Sequence, residues 1–154
     1  MDTEELKKLV GDKVLVKTGA DSHKEVAVAE FAKEIGNPEF LGFYFGAHWA
    51  PPCRLFTTNL AEFYSKVNKE SKVIEIVFVK EDREKGHFER NFNKMPWASI
   101  PYDSDQVCQT LKSKYGVADL PTLVIVSSKD FNIVSHQARD SVSNADKALK
   151  EWRE

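Results

Sequence analysis

Gly46-Ala47-His48-Trp49-Ala50-Pro51-Pro52-Cys53-Arg54 joins two segments of different periodicity. Before it, Glu39–Gly46 (E-F-L-G-F-Y-F-G) is a short, nearly continuous apolar run bounded by Pro38 and Gly46. Such a run suits a strand buried on both faces. After it, Phe56, Leu60, Phe63, Tyr64 and Val67 recur at i, i+4, i+7, i+8 and i+11. That is the apolar stripe of an amphipathic helix over Pro51–Lys69. Pro51 and Pro52 suit the start of this helix, because their missing N–H groups would be orphan donors there anyway. The junction is the carboxyl end of a buried strand feeding a helix, where open α/β sheets place their sites.

The rest of the chain alternates in the same way. Residues 2–10 read as a short helix with Leu6, Leu9 and Val10 on one side. Val14 and Val16, then Val26 and Val28, alternate with polar residues around the turn at Gly19–Asp21, which predicts an N-terminal β-hairpin. Lys72–Lys80 (K-V-I-E-I-V-F-V-K) is another buried strand, and Asp82–Asn93 reads as helical, with Phe88 and Phe92 four apart. Asp103 or Ser104 can cap a further helix carrying Val107, Leu111 and Tyr115 inward, with Gly116 ending it. Thr122–Ser127, a turn at Lys129-Asp130 and Asn132–His136 predict a late hairpin. Ala145, Ala148, Leu149 and Trp152 form the stripe of a last helix, capped by Ser143 or Asn144. Strand–helix–strand implies a parallel pair with a right-handed crossover. The late hairpin adds antiparallel strands, so the fold expected is α/β with a mixed central sheet flanked by helices, one domain over residues 1–154.

Composition narrows the classes. The chain has 154 residues, 22 basic and 24 acidic, for a net charge of −2, which excludes a strongly basic nucleic-acid binder. With 42% hydrophobic and 30% charged residues it is neither a disordered chain nor a membrane protein. The acidic start M-D-T-E-E lacks an apolar h-region, and Asp2 excludes N-myristoylation. A reducing cytoplasmic address is the expectation, and there two cysteines are more often catalytic, metal-binding or inert than bridged.

A thiol just before the helix start would feel the positive helix end, which lowers its pKa. Thiols on both sides of the two prolines would make a C-x-x-C redox pair. Position 50 is alanine, so only the second thiol, Cys53, is present.

The segment resembles the active-site motif W-C-P-P-C-R of thioredoxin-fold proteins of the tryparedoxin and nucleoredoxin type. Leu41–Gly46, Asn59–Tyr64, Glu75–Val79, Met95-Pro96-Trp97, Ile100-Pro101-Tyr102 and Gln137-Ala138-Arg139 resemble further segments of that family. Leu120-Pro121-Thr122 matches the place where the fold keeps a cis-proline before a strand. The resemblance implies a thioredoxin-like fold and protein-disulfide reductase chemistry. In that chemistry an exposed first cysteine attacks a substrate disulfide as thiolate, and a buried second cysteine resolves the mixed disulfide. Ala50 stands at the position of the nucleophile, and Cys53 at the resolving position. Trp49, Pro51, Pro52, Leu120 and Pro121 would form the substrate surface. A cis Pro121 would leave the Leu120 backbone free to pair with an extended peptide. Tyr44 stands where thioredoxins proper carry a buried aspartate.

Other residues have plainer readings beside the functional ones. Cys53 is either a resolving-type thiol or a small buried hydrophobe. Cys108, on the face with Leu111 and Tyr115, reads as a core thiol. His48 can protonate a thiol or lend charge, or it is a solvated loop histidine. Arg54 is expected exposed, attracting anionic partner groups, and Trp97 in the core. Lys80-Glu81-Asp82-Arg83-Glu84-Lys85 reads as a solvated approach to a helix. No metal site and no cofactor are expected, since His23, His87 and His136 show no ligand spacing.

Two functions from different classes follow. One is a member of the thiol-disulfide oxidoreductase lineage crippled in dithiol chemistry, acting on protein thiols or disulfides. The other is a redox-inactive module that binds an extended peptide segment at the Trp49–Pro121 surface. Neither involves nucleic acid or membrane, and a monomer is expected.

Overall fold

The strand ahead of the junction lies near the middle of one seven-stranded sheet. A computed structural model describes residues 1–154. The elements are α1 (Thr3–Val10), β1 (Lys13–Gly19), β2 (Ser22–Ala27), α2 (Val28–Ile35), β3 (Phe40–Gly46), α3 (Pro51–Val67), β4 (Ile74–Lys80), α4 (Lys85–Phe92), β5 (Ala98–Ser99), α5 (Asp105–Lys114), β6 (Thr122–Ser127), β7 (Ile133–Ser135) and α6 (Ala145–Arg153). The strand order is β2-β1-β5-β4-β3-β6-β7. Strand β3 runs parallel to β4 and antiparallel to β6, so the sheet is mixed as the sequence implied. This is the thioredoxin-like arrangement.

Alternation along β3 divides the core into two layers. Leu41, Phe43 and Phe45 face a cluster that holds Leu6, Phe31, Leu111 and Tyr115 from α1, α2 and α5 with its flank. Phe40 and Tyr44 face the other side, against Phe56, Leu60 and Phe63 of α3, Phe88 and Phe92 of α4 and Trp152 of α6. All seven residues of β3, and all seven of β4, are buried, which explains why both read as unbroken apolar runs. Asn144 caps α6 by accepting the Lys147 N–H at 3.1 Å. At the far end of α3, the Asn68 Oδ1 accepts the Val73 and Ile74 N–H groups, closing the link into β4.

Two expectations need correction. The N-terminal hairpin ends at Ala27, and Val28 opens a helix. Val28, Phe31 and Ile35 are all buried at i, i+3 and i+7, so helical period overrides the brief alternation of Val26 and Val28. The Val28 N–H closes the junction by donating to the Asp12 carbonyl at 3.0 Å. The second correction concerns Lys80–Lys85, which is not solvated throughout. Lys80 and Asp82 are only 7% and 1% exposed. The Lys80 Nζ donates to Asp105 Oδ1 at 2.6 Å and lies 4.7 Å from the Tyr102 ring centre, so the covered ammonium is matched by an exposed carboxylate. Helix α4 begins only at Lys85.

Phe78 stacks between Tyr44 and Phe88 and is fully buried. Phe78→Ala is expected to lower unfolding stability by about 3–5 kcal/mol, measured as a shift in urea midpoint with unchanged slope.

Candidate functional site

Beyond the carboxyl end of β3 the chain turns through Ala47–Ala50 and enters α3. Ala50 occupies the N-cap position and offers no side-chain acceptor, with Pro51 and Pro52 in the first turn. The Cys53 N–H donates to the Ala50 carbonyl at 2.9 Å. Ala47, Ala50 and Cys53 form a small apolar cluster against Leu120. Pro51, Pro52 and Arg54 are exposed, and Trp49 is 60% exposed beside them. The Leu120–Pro121 peptide is cis. The Leu120 N–H and C=O make no hydrogen bond within the chain. Through Leu120 the Pro121 loop packs against the motif, and the aromatic face of Trp49 is open to solvent.

Cys53 is 1% exposed and free, as is Cys108 at 3%. Burial pushes the Cys53 thiol up. The Asp82 carboxylate adds to that rise, while a backbone hydrogen bond from Ala47 and the Arg139 charge oppose it. Cys108 lies in the α5 layer of the core, where burial raises it to about 11. The two thiols belong to different apolar clusters.

Tyr44 fixes the first turn of α3 from below. Its hydroxyl donates to the Cys53 carbonyl at 3.1 Å and shares a hydrogen bond of 2.6 Å with Thr57 Oγ1. Burial raises its pKa, so it is a neutral phenol under all ordinary conditions. Gly46 follows from this packing, because a Cβ there would stand 3.0 Å from the Tyr44 ring.

Two charged residues of the site were missed in the sequence. Asp82, two residues past the end of β4, accepts the His48 N–H at 2.7 Å and is approached by Asn91 Nδ2 at 3.4 Å. Its place at the carboxyl end of a buried strand was the available signal. Arg139 donates to the Pro121 carbonyl at 3.5 Å. His48 is half-buried and not a free loop residue. Its ring centre lies 5.3 Å from that of His87, and its Nδ1 is covered without a partner. Desolvation and the Lys94 charge hold its pKa below the ordinary value, against the pull of Asp82. No three His, Cys, Asp or Glu side chains converge as metal ligands. No helix is long and apolar enough to cross a membrane.

This combination of fold and motif has clear relatives. A family model described as thioredoxin-like matches residues 37–133. The chain belongs to the thioredoxin-like family, among its nucleoredoxin and tryparedoxin oxidoreductases. It is 35% identical over 113 residues to nucleoredoxin from Danio rerio, covering 73% of this chain and 27% of that protein. It is 38% identical over 108 residues to tryparedoxin from Trypanosoma brucei brucei, covering 70% of this chain and 73% of that one. The chain thus spans about a quarter of the nucleoredoxins it matches. Tryparedoxin II from Crithidia fasciculata superimposes with a TM-score of 0.79 at 32% identity, covering 97% of this chain and 94% of that one.

Three results are expected. Tyr44→Phe leaves the Thr57 hydroxyl and the Cys53 carbonyl short of a partner and costs about 1–3 kcal/mol. Adding Thr57→Val recovers part of that loss in a double-mutant cycle read by urea unfolding. With iodoacetamide at pH 7, both thiols of the folded chain react far more slowly than in urea, and the Cys53 rate climbs only above the ordinary thiol value of 9.0. Cys108 binds its proton more tightly when folded. Its contribution to stability is therefore constant below 9.0 and is lost as pH rises toward about 11. Urea midpoints across that window will fall, and Cys108→Ala will flatten the fall.

Proposed function

We propose that the chain is a member of the protein-disulfide reductase lineage that has lost dithiol exchange and keeps the substrate surface of the fold. The observation that carries this is the pairing of Ala50 with a buried Cys53. A methyl group at position 50 cannot attack a disulfide. Cys53 is 1% exposed with its thiol pKa raised, so it lacks both the thiolate and the access that attack requires. A resolving thiol without an attacking partner has no mixed disulfide to resolve.

What remains is recognition. Trp49 offers a large exposed aromatic face, and Leu120 has an unpaired N–H and C=O beside it. An extended peptide segment can lie on the ring and pair its backbone with Leu120. Arg139 on the Pro121 carbonyl steadies that loop. In this role the site binds segments of partner proteins, including those bearing thiols or disulfides, in a reducing cytoplasm. It needs no metal and no cofactor for this.

Insulin reduction driven by dithiothreitol tests the first half. The native chain is expected to match the dithiothreitol background, whereas Ala50→Cys is expected to turn over. Equal turnover by both forms would overturn the proposal. Binding of extended peptides, read from Trp49 fluorescence and lost in Trp49→Ala, tests the second half.

A further inference from the structure

The polar wall on the α4 side of the motif carries two cations, Arg90 and Lys94, whose side chains have no ion-pair partner in the chain. His87 and Arg90 are three apart on α4, and Lys94 lies seven beyond His87 in the turn that follows, so all three share one stripe. The stripe spans roughly 10 Å at a helical rise. It faces the motif loop, because the His87 ring lies 5.3 Å from His48. Arg90 and Lys94 are exposed, and neither side chain takes part in an ion pair or a hydrogen bond.

The acidic residues nearby are already engaged. Asp82 is buried and holds the His48 N–H. Glu89 is paired with His23 at 2.8 Å, on the other flank of α4. Glu84 reaches His87 at 3.5 Å. The polarity of the helix accounts for a cation such as Arg90 in its last turn. It does not account for Lys94 beyond the helix, nor for the polar His48 ring that a different element brings to the same place. The His48 Nδ1 is covered and has no partner there. Charge of one sign gathered at the rim of an exposed aromatic favours ligands of the opposite sign.

We infer that Arg90 and Lys94, beside the His48 and His87 rings, form an anion-receiving rim, and that the segment this site binds carries aspartate or glutamate side chains beside the residue seated on Trp49. The inference rests on the peptide-binding half of the proposed function and names its partner class, an acidic protein segment. At roughly 3.3 Å per extended residue, the stripe accommodates three residues, enough for two carboxylates on one side of the segment.

Three synthetic decapeptides test it against the full chain: one rich in Glu and Asp, its Gln and Asn isostere, and a Lys counterpart. Affinities are read by calorimetry. The acidic peptide is expected to bind about three- to tenfold more tightly than the isostere, as two exposed ion pairs allow. That preference should vanish at about 1 M salt, where the screening length is about 3 Å. Arg90→Gln with Lys94→Gln should abolish the preference while leaving the isostere's affinity unchanged. Arg90→Glu with Lys94→Glu should transfer it to the Lys peptide. Equal affinity for the acidic peptide and the isostere overturns the rim, as does a preference that survives both double variants. Loss of isostere binding in Trp49→Ala is expected separately. Its absence would overturn the peptide surface while leaving the measured charge preference to stand on its own.

Discussion

The hydroxyl of Tyr44 ties the central strand to the helix it feeds. It reaches the Cys53 carbonyl and the Thr57 hydroxyl from within a layer of aromatic rings. Through it the first turn of α3 is held at a fixed height above β3, and with it Ala50, Pro51 and Pro52. The glycine at the end of β3 is needed because that ring leaves no space for a side chain. The position of Cys53 beneath the apolar cap of Ala47, Ala50 and Leu120 follows from the same constraint. One buried phenol therefore decides how the motif is presented.

The architecture was legible where burial is complete. Glu39–Gly46 and Lys72–Lys80 announce themselves as two-faced strands because every residue of β3 and β4 is covered. Helix α3 is legible because its inward stripe is long. The elements that escaped are short or locally ambiguous. Strand β5 has two residues and pairs through two positions with β4, so it leaves no periodic trace. Helix α2 begins in a stretch where Val26 and Val28 mimic alternation.

The site was legible along the chain but not across it. Trp49, Ala50, Pro51, Pro52, Cys53 and Arg54 are contiguous, and the strand–helix junction exposes Trp49, Pro51, Pro52 and Arg54 while it buries Ala50 and Cys53. Asp82 was hidden because its neighbours Glu81, Arg83, Glu84 and Lys85 look like a solvated charge run. Only the sheet shows that this residue sits at the mouth formed by β3 and β4. His48 and His87 are 39 positions apart, and no local pattern connects them. Charge on a surface is a property of the assembled fold, and the near-neutral balance of the whole chain does not show that the Arg90 and Lys94 side chains stand without ion-pair partners.

The N-terminal hairpin joins the rest of the sheet through a single register pair, Leu15 opposite Ser99. Every other boundary between neighbouring strands carries at least two such pairs. The sheet thus has a seam. The unit matched by the family model, residues 37–133, lies wholly on one side of it. Backbone pairing is thin there, but Val14 and Val26 are buried in one core layer and Leu15 in the other, so side-chain packing is what holds β1 and β2 to the sheet. The hairpin is an annex fastened by its inward side chains: its outer face can drift in sequence so long as Val14, Leu15 and Val26 stay apolar.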